Sequence, residues 1–328
     1  MNFEKGGIGD GELMEVLGGV SRSFVLTIKA LPKGLRRPIG LAYLLARASD
    51  TIADTAAVPV EERVKCLRGF AAQVAGGGDG VHVRDIRPEN EAEKYLLENL
   101  ERVTSALEGL PDGDKSEIVA LLAKITRGQE LDLRRFPDRK KIRALETAGE
   151  LEEYTYLVAG CVGEFWTRIC GAHLPRYGRI GQEELVRLGR GFGQGLQLVN
   201  ILRDIPEDSG NGRCYLPMAE LRAVGVKDAE ALRGDLKKAA PVFEAWRQKA
   251  LGYHEDARRY IQAIRPWRIR FACLVPWALG VRTLEMLGER SPLECAERVK
   301  VGRAAVRRIM RRAVWGALSN AAVDRCRE

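Results

Sequence analysis

Asp50 and Asp54 stand four residues apart in LLARASDTIADT, and Asp204 and Asp208 repeat that spacing in QLVNILRDIPED. In an α-helix, residues i and i+4 lie about 6 Å apart along one face. Tyr43 and Arg47 share the first face; Gln197 and Asn200 share the second, with Arg203 beside its first aspartate. Carboxylates among apolar residues are costly unless something cationic compensates them. If the two strips face each other across a cavity, four carboxylates converge on it. Mg²⁺ suits such a place, because it takes a few carboxylates together with waters and substrate phosphates. Arginines beside the carboxylates would hold phosphate oxygens. The chemistry implied is ionisation of an organic diphosphate, with the leaving pyrophosphate neutralised and a carbocation formed in an apolar pocket. One such pair alone reads better as a solvated helix face; two, each on an apolar helix with an arginine, favour a site. Pro206 cannot donate to a helix ladder, so Asp208 falls on a kinked or ending turn and Asp204 is the firmer ligand.

Helices must position these residues, because the apolar pattern is helical nearly throughout and β-like alternation is rare. The spacing predicts helices over about 10–31, 35–56, 59–75, 90–108, 113–135, 147–173, 182–206, 217–223, 227–263, 268–287 and 300–322. Breaks carry the usual punctuation, from Gly76-Gly77-Gly78 to Pro111, Pro175, Ser209–Gly212 and Pro266. No linker marks a boundary. The expectation is one all-α domain over 1–328, a helical bundle around a central cavity, with 1–10 as a flexible lead-in. VAGCVG, Val158–Gly163, combines small residues on a helix, either to leave room for a long ligand or to let helices pack closely. Glycine there costs up to about 1 kcal/mol of helix stability relative to alanine.

Composition narrows the class. The 328 residues are 45% hydrophobic and 30% charged, enough for a large core in a globular chain. Lys and Arg number 53 against 45 Asp and Glu, a net charge of +8. That balance suits nucleic acid, anionic membrane or phosphorylated small molecules. Seven cysteines stand singly, without a C-x-x-C pair, and read as reduced thiols in a cytoplasmic chain. Three histidines far apart argue against a histidine-based metal site or triad. The opening MNFEKGGIGDGELM has no apolar signal region. The longest apolar run, Phe271–Val281, is too short to span a bilayer. A basic helical nucleic-acid or membrane-surface binder is the reading outside enzymes; few aromatics sit among the basic residues, which disfavours nucleic acid.

Five ordered motifs resemble the squalene/phytoene synthase family, the head-to-head prenyl synthases. They are VSRSF (Val20–Phe24), AYLLARASDTIAD (Ala42–Asp54), EYTYLVAGCVGEFWTRI (Glu153–Ile169), QLVNILRDIPED, and GRCYLP (Gly212–Pro217). The resemblance covers about Val20 to Ala313. It implies an isoprenoid-synthase helical fold and Asp50, Asp54, Asp204 and Asp208 as Mg²⁺ carriers. It implies Ser21, Arg22, Ser23, Arg47 and Arg203 as diphosphate contacts. Tyr43 shares that strip, and Gln197 and Asn200 match polar residues directed into the pocket. Tyr154 matches the family's catalytic tyrosine; outside this motif it would read as a core tyrosine.

Within the family, RFACLVPWALGVRTLEML (Arg270–Leu287) followed by RVKVGRAAVRRIM (Arg298–Met310) is more similar to squalene than to phytoene synthases. That implies two farnesyl diphosphates condensed to presqualene diphosphate, then reduction by NADPH to squalene, as in sterol or hopanoid biosynthesis. Cys273 and Pro276 match the apolar stretch, and Lys300 and Arg303 are the cofactor-phosphate candidates. Trp277 departs from the glutamine common after that proline, and LRDIPED is shared with enzymes that stop at presqualene diphosphate or make hydroxysqualene. A phytoene or dehydrosqualene synthase is the alternative. Partners are then diphosphate substrates and not nucleic acid. The basic segment and the apolar product favour peripheral contact with the inner face of a membrane. Nothing in the sequence sets an oligomeric state.

Overall fold

A computed structural model describes residues 7–77, 86–294 and 298–326, without the side chains of 22–24 and 26. The expected all-α class is borne out: among the described residues the only strands are two of two residues each. Contacts gather the chain into two compact units, Met1–Arg134 with Arg168–Pro175, and Arg135–Thr167 with Arg176–Glu328.

The first unit holds α1 (Asp10–Val20), α2 (Arg22–Ala30), α3 (Lys33–Asp54), α4 (Val60–Val74), α5 (Glu91–Glu98), α6 (Leu100–Ser105) and nearly all of α7 (Asp112–Arg135). Helix α3 is its axis, with α1, α2, α4, α5 and α6 packed on it. Leu41, Leu44, Leu45, Ala48 and Ile52 of α3 are wholly buried. The helix expected over 10–31 is broken at Ser21, whose extended backbone (φ −158°, ψ 100°) separates α1 from α2. The one expected over 90–108 is interrupted at Asn99. Asn90 starts α5 by accepting the amides of Ala92 and Glu93 on its side chain.

The second unit holds α8 (Ala148–Thr155), a π turn (Tyr156–Gly160), the first part of α9 (Cys161–His173), α10 (Gln182–Arg203), α11 (Ile205–Gly210), α12 (Met218–Ala223), α13 (Ala240–Ala263), α14 (Trp267–Glu289), α15 (Arg303–Leu318) and α16 (Asn320–Val323). Thr147 and Glu150 form a reciprocal capping box that starts α8. Helix α10 packs along α13, the π turn and α14. The helix expected over 227–263 begins only at Ala240. Ahead of it, Asp228 and Asp235 cap single 3₁₀ turns, because a short carboxylate offers the backbone a local partner that competes with the helix.

Strands β1 (Arg143–Ala144) and β2 (Arg213–Cys214) pair in parallel, Arg143 with Arg213 and Ala144 with Cys214. Gly212 makes the entry to β2 possible. Its φ is +77°, and a Cβ there would lie 2.8 Å from the Asp138 carbonyl oxygen. The 23-residue α14 is long and apolar enough to cross a membrane by length and composition. Leu274, Trp277, Ala278, Val281 and Leu284 are nevertheless buried, so this helix fills the core of its unit. Five of the six described cysteines are buried.

The small residues of VAGCVG serve close packing. A Cβ on Gly163 would lie 1.9 Å from the carbonyl oxygen of Gly189, and one on Gly193 2.1 Å from that of Ala159. The π turn and α9 therefore meet α10 backbone to backbone, and backbone cannot step aside for a methyl group. Gly163→Ala is expected to destabilise the protein by about 2–4 kcal/mol in chemical denaturation. Gly252→Ala, on an exposed face of α13 with nothing within 4 Å of the added carbon, is expected to stabilise by about 0.5–1 kcal/mol. Equal effects at the two positions would contradict this reading of the packing.

Candidate active site

Core packing encloses α3 almost completely, and the strip it leaves carries the polar residues. Tyr43, Arg47 and Asp50 are part-buried and Asp54 is exposed, whereas Leu44, Leu45, Ala48, Ser49, Thr51, Ile52 and Ala53 between them are buried. The predicted common face is therefore real. Gln129, from α7, donates its Nε2 to Asp50 Oδ1 at 2.5 Å. Arg47 pairs with Glu93, the residue fixed by the Asn90 cap, and Thr51 Oγ1 lies 3.3 Å from Glu93 Oε2. Burial, with the charge of Asp54 next, pushes the Asp50 carboxyl up to about 6, against the opposing pull of Arg47 and Gln129. The strip is thus crowded with negative charge that its own cations do not fully offset.

In the second unit, α10 repeats the arrangement. Leu198, Val199, Ile201 and Leu202 are buried, while Gln197 and Arg203 are part-buried and Asn200 is exposed. Asn200 Nδ2 lies 3.5 Å from Gln197 Oε1. The helix stops at Asp204, and α11 opens at Ile205 with Pro206 as its second residue. The Asp208 amide still donates to the Asp204 carbonyl at 2.8 Å, so the restart keeps Asp208 one turn on from Asp204. The anticipated irregularity is present and is confined to this junction.

Asp204 is neutralised far more fully than Asp50. Arg203 grips it in a fork, Nε to Oδ1 at 2.8 Å and Nη2 to Oδ2 at 2.6 Å. Arg298 approaches with a second fork, Nε to Oδ1 at 2.8 Å and Nη2 to Oδ2 at 2.9 Å. Burial works to raise this carboxyl, but the two guanidinium groups outweigh it and hold it below the usual range.

Tyr154, on α8, stacks on Tyr215 with ring centres 4.9 Å apart and 19° between planes. Their hydroxyls are 3.5 Å apart. Phe136 meets the Tyr215 ring edge-on at 5.2 Å. The β1–β2 pair and the turn at Gly212 deliver Tyr215 to this contact. Among the remaining expected residues, Ser21 lies at the break between α1 and α2. Arg22 and Ser23 lie in the first turn of α2, and their side chains are outside the described residues. Lys300 and Arg303 are exposed, and no carboxylate pairs with either among the described residues.

Gln129, Glu93, Arg298 and Tyr215 were not singled out as site residues from sequence. Each acts from a separate element; Tyr215 and Arg298 lie in segments that carry the resemblance, GRCYLP and RVKVGRAAVRRIM, whereas no signal marks Gln129 or Glu93. Trp277, the departure noted in sequence, is buried and donates its indole Nε1 to the His254 carbonyl at 2.9 Å.

Among the described residues no three His, Cys, Asp or Glu side chains are gathered into a ready cation site. The donor chemistry still fits Mg²⁺, which binds few carboxylates and completes its shell with water and phosphate. Burial and the neighbouring charge of Asp54, which together raise the Asp50 carboxyl, are what a cation would offset. For NADPH, the unpaired Lys300 and Arg303 are the residues whose chemistry fits its phosphates.

The all-α fold is the one shared by solved synthases of the isoprenoid type. The squalene/phytoene synthase profile matches residues 17–307, and the chain belongs to that family. It is 27% identical over 303 residues to a squalene synthase of Gibberella zeae, covering 91% of this chain and 63% of that protein. It is 29% identical over 263 residues to a 15-cis-phytoene synthase of Synechocystis, covering 76% and 68%. A solved squalene synthase complex, TcSQS with the ligand BPH1237, superposes with a TM-score of 0.76 at 23% identity, covering 96% of this chain and 89% of that one. The chain spans about three fifths of the length of the fungal squalene synthases it matches.

The charge crowding at Asp50 has a measurable sign. Its carboxyl binds a proton more tightly in the folded than in the unfolded chain. Ionised Asp50 therefore lowers stability, by nothing below about pH 4 and fully above about pH 6. In metal-free buffer, Asp50→Asn keeps an acceptor for Gln129 and is expected to melt a few degrees higher than the parent at about pH 7.5. The gain should shrink towards pH 4.5. A gain independent of pH, or a loss at high pH, would remove the crowding argument.

Proposed function

We propose that this chain is a squalene synthase: it condenses two farnesyl diphosphates to presqualene diphosphate and reduces that intermediate with NADPH. The observation that carries the reading is that Asp50 and Asp54 lie on the unburied strip of α3, while Asp204 and Asp208 continue the unburied strip of α10 across its end into α11, all within the span matched by the family. Asp50, Asp54, Asp204 and Asp208 are the residues that would hold Mg²⁺. Bound there, the ion supplies charge neutralisation to the departing pyrophosphate.

The residues of the chain do the rest. Arg47, Arg203 and Arg22, with Ser21, Ser23 and Tyr43, orient the diphosphates, so that the donor's C–O bond breaks while its pyrophosphate is held. The acceptor's C2–C3 double bond attacks the allylic cation, and loss of one proton closes the cyclopropane. Tyr154, or pyrophosphate itself, takes that proton. Stacking on Tyr215 fixes the Tyr154 ring, and an aromatic face stabilises nearby positive charge. Gln197 and Asn200 supply the polar edge of the pocket. In the second stage another C–O bond breaks, and the apolar surroundings exclude water that would otherwise give an alcohol. Lys300 and Arg303 are the residues that would hold the phosphates of NADPH, which would supply the hydride. The apolar product leaves into lipid, which places the working enzyme at the inner surface of a membrane.

A synthase without the reductive step is the second reading, favoured by the match to a 15-cis-phytoene synthase and by Trp277. Product analysis decides between them. The purified chain with farnesyl diphosphate and Mg²⁺ is expected to give squalene only when NADPH is added. Asp50→Ala and Asp204→Ala should each lower turnover by at least about 10²-fold. The same C30 product with and without NADPH would end the reductive assignment, and full activity in both variants would end the site assignment.

A further inference from the structure

Helix α15 is held to its unit by one face. Ile309, Ala313, Gly316 and Ala317 are buried, and a Cβ on Gly316 would meet Cys326 Sγ at 2.6 Å and Leu274 Cδ1 at 3.1 Å. The opposite face changes character along its length. Towards its start it exposes Arg303, Arg307, Arg308 and Arg311, with Met310 among them; towards its end it exposes Val314, Trp315 and Leu318. Of the nine large apolar side chains exposed among the described residues, Met310 and these three make four, with Trp315 at 71% and Leu318 at 62%. Trp267, 51% exposed, adds a fifth at the same end. Arg270, three residues on from it in α14, donates Nη2 to the Gly316 carbonyl at 3.0 Å, so the first turn of α14 lies beside the last turns of α15. The guanidinium of Arg268 sits over the Trp267 ring at 5.4 Å.

Charge identifies the occupant. Several arginines elsewhere on this unit are matched by carboxylates, as in Arg187 with Glu184, Arg258 with Glu255 and Arg282 with Glu285, whereas the exposed Arg268 beside Trp267 has none among the described residues. On α15 no carboxylate pairs with Arg303, Arg307, Arg308 or Arg311 among the described residues, and the helix contains no acidic residue. A partner that covers this face must present dense negative charge along one half and accept tryptophan and leucine at the other. An anionic lipid surface does both, with phosphates for the arginines and an acyl boundary for the apolar end. Tryptophan favours that boundary, where its ring is half in hydrocarbon.

We propose that the exposed face of α15, with Trp267 beside its end, docks the folded chain onto anionic bilayers without crossing them. This deepens the proposed function, on which the need for a membrane site rests, by naming the surface that makes the contact.

The test is co-sedimentation of the full chain with vesicles of phosphatidylcholine alone or with about 30% phosphatidylglycerol, over a salt series. The parent is expected to bind the anionic vesicles and to be released by salt. Trp315→Ser with Leu318→Ser, and separately Arg307→Gln with Arg311→Gln, should each weaken binding by about tenfold. The arginine pair should also flatten the salt dependence. Both variants should keep the parent's turnover of farnesyl diphosphate in detergent, which shows that they fold. A parent that ignores anionic vesicles overturns the proposal, as do variants that bind like the parent. A parent dimer dissociated by the Trp315 and Leu318 changes would instead make this face a contact between copies. Vesicle binding does not depend on turnover, so a chain that docks but makes no C30 product would refute the proposed function and leave the docking face standing.

Discussion

Asp50 carries its charge on a helix whose other faces lie in the core, and that placement constrains the rest of the first unit. A carboxylate among Leu44, Leu45, Ala48 and Ile52 is tolerable only on the strip where packing stops. The neighbours along that strip are spaced by the helix, not chosen freely, so Asp54 adds repulsion a turn away. Burial and Asp54 together raise the carboxyl towards neutrality, and Gln129 and Arg47 only partly oppose them. A core helix that keeps such a strip forgoes apolar burial there, and structural packing alone gives no reason for it.

The second unit handles the same problem in the opposite way. Two guanidinium forks meet one carboxylate at Asp204, so its charge is compensated before any ligand arrives. A carboxylate offers about four acceptor positions, and two forks use them all. A cation that takes an oxygen of Asp204 must displace a donor. Arg203 is the next residue in the chain, whereas Arg298 reaches Asp204 from 94 positions away. The acidic strips are therefore unequal: one has negative charge to spare, and the other holds its charge in exchangeable ion pairs.

Much of this was legible in the sequence because helical periodicity is a property of one segment. The faces carrying Tyr43, Arg47, Asp50 and Asp54, and then Gln197, Asn200 and Asp204, follow from spacing alone. Breaks that depend on backbone competition were less visible. Ser21 splits a continuous apolar pattern, and Asp228 and Asp235 divert the backbone into short turns ahead of α13. Least visible were partners supplied by other elements. Nothing in the sequence around Gln129 or Glu93 announces that they meet Asp50 and Arg47, since such a contact exists only once several helices have packed.

The VAGCVG segment illustrates why sequence left a choice that packing resolves. Small residues on a helix permit either an open cavity or a close neighbour, and the pattern is the same for both. Gly163 and Gly193 each lie against a carbonyl oxygen with no room for a methyl group, so at these positions the space is filled by backbone. The approach is tight enough for Gln194, also on α10, to bond the Glu152 carbonyl at 3.3 Å, just where the helix widens into its π turn. The Glu152 carbonyl also keeps the Tyr156 amide, so Gln194 adds a bond where the π turn begins. The residues beyond it are then set on α9 at an offset that an unbroken α-helix from Tyr154 would not produce. The glycines thus contribute to the site indirectly, by fixing how the helix that carries Tyr154 leaves it.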